Sequence, residues 1–142
     1  MVEAMPDPTI LLVEDNRDDL ELALDAFEKY RSRVHVARDG VEAVEALFGG
    51  PGRPPLRPRL VLLDLKLPRL DGLEVLRRIK GDPSTQTIPV IVLTSSSEAR
   101  DLETCYRYGA NSYIVKPVRF NEFVETAEAI GAYWLRHNRA PG

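Results

Sequence analysis

Five short apolar runs punctuate the chain: ILLV (10–13), VHVA (34–37), LVLL (60–63), VIVL (90–93) and SYIV (112–115). Three of them are continuous rather than alternating, the pattern of parallel strands covered on both faces. Between and after them, apolar residues return every three or four positions, as along one face of a helix. Leu20, Ala23, Leu24 and Phe27 make the first such stripe; Val41, Val44, Leu47 and Phe48 make the second. Leu73, Leu76 and Ile79 make the third, and Leu102, Cys105 and Tyr106 the fourth. The longest runs through Phe120, Phe123, Val124, Ala127, Ile130 and Trp134. Strands alternating with helices predict an α/β fold, a doubly wound five-stranded parallel sheet with helices on both faces.

The punctuation between these segments agrees. Asn16 is placed to cap the first helix, with Asp18 and Asp19 in its first turn, where the helix dipole favours negative charge. Asp71 followed by Glu74 fits a capping box, with Gly72 easing the entry. Gly81-Asp82-Pro83 stops that helix, and GGPGRPPLRP (49–58) reads as a long loop before the third strand. The pattern predicts a single domain over residues 9–137, with 1–8 as an N-terminal extension and 138–142 as a tail. That tail is too short for a DNA-binding module.

Composition narrows the class. With 44% hydrophobic and 29% charged residues, the 142-residue chain is expected to fold rather than stay disordered. A net charge of −3 argues against a nucleic-acid surface, which needs a basic patch. One cysteine, Cys105, leaves no intramolecular disulfide and no thiolate metal cage, and it suits a reducing cytoplasm. No apolar segment approaches the ~18 residues of a membrane span, and MVEAMPDPT has no signal-peptide character. A cytoplasmic protein with neither membrane nor direct DNA contact is expected.

Chemistry enters at the strand ends, because ligands of an open parallel sheet sit beyond the carboxyl ends of its strands. The first strand ends in Glu14 and Asp15, the third in Asp64, the fourth in Thr94, and the fifth in Lys116 followed by Pro117. Carboxylates brought this close repel by about 4 kcal/mol per pair at an effective dielectric near 20. A divalent cation removes that penalty, and hard oxygen ligands suit Mg²⁺. Asp64 is then a candidate nucleophile towards phosphorus, with the metal and Lys116 stabilising charge on a transferring phosphoryl group. Thr94 is placed to donate a hydrogen bond to that group once attached. Lys66, two residues beyond Asp64, is placed to offer its backbone carbonyl to the metal.

The ordered set VED (13–15), LLDLKLPRLDG (62–72), VLTSS (92–96) and SYIVKP (112–117) resembles the receiver domain of two-component response regulators, from Thr9 to about Trp134. The resemblance implies a sheet of order 2-1-3-4-5 and a signalling domain rather than an enzyme, one that catalyses only its own phosphorylation and dephosphorylation. It matches Asp64 to the phosphorylated aspartate, Glu14 and Asp15 to the acidic pair, and Asp15 to the direct metal ligand. Thr94 and Lys116 match the switch hydroxyl and the lysine, and Tyr113 the switch aromatic. It also implies a Lys116–Pro117 bond that is often cis. EDNRDDLELALDAF, VARDGVEAVEALFG, LTSSSEARDLETCYRYGANSYIVKPV and IGAYWLRHN are similar to stand-alone regulators that accompany bacterial phytochromes and related histidine kinases. The partner implied is a sensor histidine kinase, with a bacterial phytochrome as one candidate. One departure stands out: Lys66 occupies a place where chemotaxis-type receivers carry a neutral side chain, so their phosphoryl lifetime does not carry over.

Other residues are read as structural. His35 and His137 have no cluster around them, and Cys105 falls on an apolar stripe. Tyr108 and Tyr133 lie off the stripes of their helices. They are either scattered surface aromatics or part of a contact face for a homodimer or partner, built from the fourth helix, fifth strand and fifth helix. A flavodoxin-like carrier needs a phosphate loop after the first strand, where Glu14-Asp15-Asn16 would repel phosphate. A phosphatase of the haloacid-dehalogenase type needs a second aspartate where Lys66 stands. A docking domain that acts without phosphorylation is the blander rival; it predicts no Mg²⁺ affinity.

Overall fold

In the computed structural model, which describes residues 9–117, 119–139 and 141, the five apolar runs are five strands. They are β1 (Ile10–Val13), β2 (Val34–Ala37), β3 (Leu60–Leu63), β4 (Val90–Thr94) and β5 (Ser112–Val115). All pair in parallel, in the order β2-β1-β3-β4-β5. The helices are α1 (Arg17–Ala26), α2 (Gly40–Phe48), α3 (Gly72–Gly81), α4 (Ala99–Arg107) and α5 (Phe120–Ile130). The expected extension over 1–8 lies outside the described residues.

Strand alternation sorts the core into two layers. Leu11, Val13, Val61, Leu63, Val90 and Val92 face Ala43, Leu47, Val75, Leu76, Ile79 and Cys105 of α2, α3 and α4. Ile10, Leu12, Leu60, Leu62, Ile91 and Leu93 face Leu20, Ala23, Phe123, Ala127 and Ile130 of α1 and α5. Each fully buried aliphatic side chain contributes about 1.5–3 kcal/mol relative to exposure. β1, β3 and β4 are buried at every position because helices cover both of their faces; edge strands β2 and β5 are not.

Several local expectations need correction. Asp71 makes no side-chain capping bond, and Glu74 turns to Arg77 and Arg78 instead, at 2.5 and 3.2 Å. A guanidinium one turn away offers a charge-assisted bond that a backbone amide does not match. A side-chain cap is made at α2 instead: Asp39 accepts from the Glu42 amide at 2.8 Å, and Glu42 accepts from the amide of Arg38, one residue before the cap, at 3.3 Å. Leu102, Tyr106 and Phe120, read as core-facing, are 39%, 50% and 52% exposed. The apolar stripes of α4 and α5 are wider than the seams they bury. Tyr108, read as off its stripe, packs half-buried on the core. A 3₁₀ segment (Glu28–Arg33) follows α1, and the final stripe divides into α5 and a π-helical segment (Gly131–His137).

Candidate functional site

Four of the five strands, β1, β3, β4 and β5, deliver polar side chains at their carboxyl ends, and pairing register sets their heights. Val13 and Leu63 are paired across β1 and β3, so Glu14 and Asp64 emerge side by side. The Asp64 amide donates to the Val13 carbonyl at 3.1 Å, extending the ladder by one residue. β4 and β5 end together, Thr94 opposite Val115, and the Lys116 amide donates to the Thr94 carbonyl at 2.8 Å. The peptide bond between Lys116 and Pro117 is trans, against the cis form implied by the resemblance. That ladder bond and the lysine's long stem already carry the ammonium inward.

Lys116 reaches past the end of β4 and places its Nζ among three carboxyl groups. Glu14 Oε1 lies 2.5 Å away, Asp19 Oδ2 2.9 Å and Asp64 Oδ2 3.2 Å. The Lys116, Glu14 and Asp64 side chains are nearly buried, at 9%, 5% and 9% exposure. Burial pushes the Glu14 carboxyl up to about 7, against the pull of its hydrogen bond to Lys116. The same burial disfavours the Lys116 ammonium, but hydrogen bonds to Glu14 and Asp19 outweigh it and hold the group above its ordinary value. Asp64 Oδ1 also accepts a long bond, 3.4 Å, from the Lys66 amide.

The loop after Asp64 is fixed by close approach. A side chain at Gly72 would put its Cβ 2.2 Å from the Asp64 carbonyl oxygen and 2.6 Å from Leu65 Cα, so only glycine lets α3 start against the strand end. Farther along, Arg69 adopts a left-handed φ of 67° and pairs with Asp39 at 3.2 Å, tying the loop to the start of α2.

Thr94 is fully buried, its Oγ1 accepting from the Ser96 amide at 3.3 Å. Tyr113, half-buried against the core, donates its hydroxyl to the Ser96 carbonyl at 2.8 Å. The Ser96 hydroxyl donates to Asp101 in α4 at 2.6 Å. Residues of β4, β5 and α4 thus meet at Ser96.

Of the residues expected at the site, the structure gathers Glu14, Asp64 and Lys116 directly, while Thr94 and Tyr113 both bond to Ser96 after β4. Asp15 stands apart: its side chain is exposed, and its carbonyl accepts from Arg38 at 3.3 Å. Among the described residues, no three His, Cys, Asp or Glu side chains are gathered at metal-binding geometry. The donor chemistry nevertheless fits a hard divalent cation, since more carboxyl groups than cations share the pocket and all donors are oxygen. Asp19 and Ser96 were missed. Asp19 lies in the first turn of α1, and its meeting with Lys116 depends on helix phase, which periodicity does not convey.

A family model described as the response regulator receiver domain matches residues 10–128. The chain belongs to this family. The receiver is 43% identical to the probable methanogenesis regulatory protein FilR2 of Methanothrix harundinacea, over 100% of this chain and 93% of the relative. Among solved structures, it is similar to the phosphorylated cyanobacterial phytochrome response regulator RcpA, with TM-score 0.89 and 36% identity over 97% of this chain and 100% of that one. The Mn²⁺-bound form of Rcp1, the response regulator of Synechocystis, gives TM-score 0.85 and 34% identity over 96% and 100%. The receiver is therefore a response regulator of two-component signalling, a family whose partners are sensor histidine kinases.

Proposed function

We propose that Asp64 accepts a phosphoryl group from a phosphohistidine of a sensor histidine kinase. The supporting observation is the meeting of Glu14 and Asp64, from neighbouring strands, on the single ammonium of Lys116. An Asp64 carboxylate oxygen attacks phosphorus in line, the P–N bond to the donor imidazole breaks, and its electron pair stays on the ring nitrogen. The product is an acyl phosphate on Asp64. Lys116 offsets the charge building on the transferring group, and Thr94 donates to a phosphoryl oxygen once attachment is complete. Glu14, Asp15, Asp64 and the Lys66 carbonyl are the groups that would hold Mg²⁺, which supplies further charge neutralisation there. For Asp15 this requires its exposed carboxylate to turn inward. Mn²⁺ bound to Rcp1 supports a divalent ion of this kind.

Attachment adds roughly two negative charges. Thr94 then gives up its bond to the Ser96 amide, and the change passes through Ser96 to Tyr113 and α4. The surface that responds is the face of α4, β5 and α5, where Leu102, Tyr106, Val115 and Phe120 are exposed. It serves homodimer formation. Cytoplasmic location follows from a kinase that presents its phosphohistidine there. A phytochrome kinase is supported by the likeness to RcpA, whereas FilR2 is a probable methanogenesis regulator. The kinase's stimulus is therefore a matter for phosphotransfer profiling.

Acetyl phosphate with Mg²⁺ should add one phosphoryl group to the intact protein, read by mass spectrometry, and Asp64→Asn should add none. Mg²⁺-dependent labelling retained in Asp64→Asn would refute the assignment. No labelling of either form, from acetyl phosphate or kinase, would favour docking without phosphorylation.

A further inference from the structure

An ammonium has three N–H donors, and on Lys116 each has its own carboxylate: Glu14, Asp64 and Asp19. The first two come from the sheet and are nearly buried; Asp19 comes from α1 and is 37% exposed. Asp19 is therefore the most exposed of the three partners, and it meets the ammonium from a helix rather than from the sheet. Its backbone is held at the start of α1, where its amide donates to Asn16 Oδ1 at 3.0 Å. Lysine is a flexible stem carrying a point charge, so its direction is set by its partners rather than by its own geometry. Two anchors leave the ammonium free to swing about the line joining them, and the third stops it. Phosphorylation of Asp64 leaves this third donor occupied, because the new oxygens replace only the contact already made to Asp64.

We propose that Asp19 is a positioning residue for phosphoryl transfer, anchoring Lys116 from α1 so that its charge stays over Asp64. This rests on the reading of Asp64 as the acceptor. The rival role is a helix-dipole one, which Asp18, in the same first turn, would share. The comparison is therefore Asp19→Asn against Asp18→Asn, with Asp19→Glu as the conservative variant, each phosphorylated by acetyl phosphate at saturating Mg²⁺. Asp19→Asn should lower the limiting rate by about tenfold, the order expected for one charge-assisted hydrogen bond. Its half-saturating donor and Mg²⁺ concentrations should stay put, Asp18→Asn should match the wild type, and Asp19→Glu should recover most of the rate.

An independent readout is the ¹H–¹⁵N signal of the Lys116 ammonium, observed without any phosphodonor. It should be sharp in the wild type and broadened by solvent exchange in Asp19→Asn. An unchanged rate, an equal loss in Asp18→Asn, or a shift confined to the Mg²⁺ midpoint would each overturn the proposal. A wild type that takes up no phosphoryl group overturns the assignment of Asp64; the ammonium signal, if unchanged by Asp19→Asn, then overturns the anchoring as well.

Discussion

Lys116 and Cys105 are both buried, and their surroundings treat them in opposite ways. Lys116 is charged and surrounded by acceptors, so its burial serves the chemistry of the site. Cys105 is fully buried among apolar side chains, and burial, aided by the charges of Asp101 and Asp71, pushes its thiol from 9.0 up to about 11. Thiolate is the reactive form, so the native protein should resist alkylation at about pH 8 and react only on unfolding, as a thiol titration would show. The linkage sign follows. Above pH 9 the unfolded chain gives up this proton before the folded one does, so the native state holds more protons. Stability should therefore fall as pH rises from 9 towards about 11, measured by denaturant midpoints, and the fall should be shallower in Cys105→Ala.

At the scale of elements, α2 illustrates how a helix start is secured. Asp39 caps the helix and also pairs with Arg69, and its carboxyl is held below the ordinary value chiefly by the Glu42 amide. Asp39→Ala should cost about 1–2 kcal/mol in chemical denaturation, more than an isolated cap, because the loop contact goes with it. In α3, Leu76→Ala removes a fully buried side chain and should cost about 2–5 kcal/mol. The strands and the five main helices were legible in the sequence, because continuous burial and helical periodicity leave direct traces there. The capping box at Asp71 was misread because Asp and Glu at the right spacing say nothing of competing arginines. Leu102, Tyr106 and Phe120 were misplaced for a related reason: apolar character marks a face but does not say whether the chain itself covers it.

Across the whole molecule, the site was largely legible because a parallel sheet turns strand ends into neighbours. Glu14, Asp64, Thr94 and Lys116 could be listed without coordinates. Asp19 could not, since it arrives from a helix, and Asp15 proved more exposed than its place in the motif implied. The two halves of the site are also unequally braced. On the α2–α3 side the backbone is wedged: a Cβ at Gly40 would lie 2.0 Å from the Leu70 carbonyl oxygen, and one at Gly72 only 2.2 Å from that of Asp64. On the other side, Ser96 joins its neighbours through single hydrogen bonds. A beam bolted at one end and pinned at the other yields at the pin. On the proposed phosphorylation of Asp64, the crowding there would be released towards α4 and β5, because the opposite flank of the sheet has no room to give.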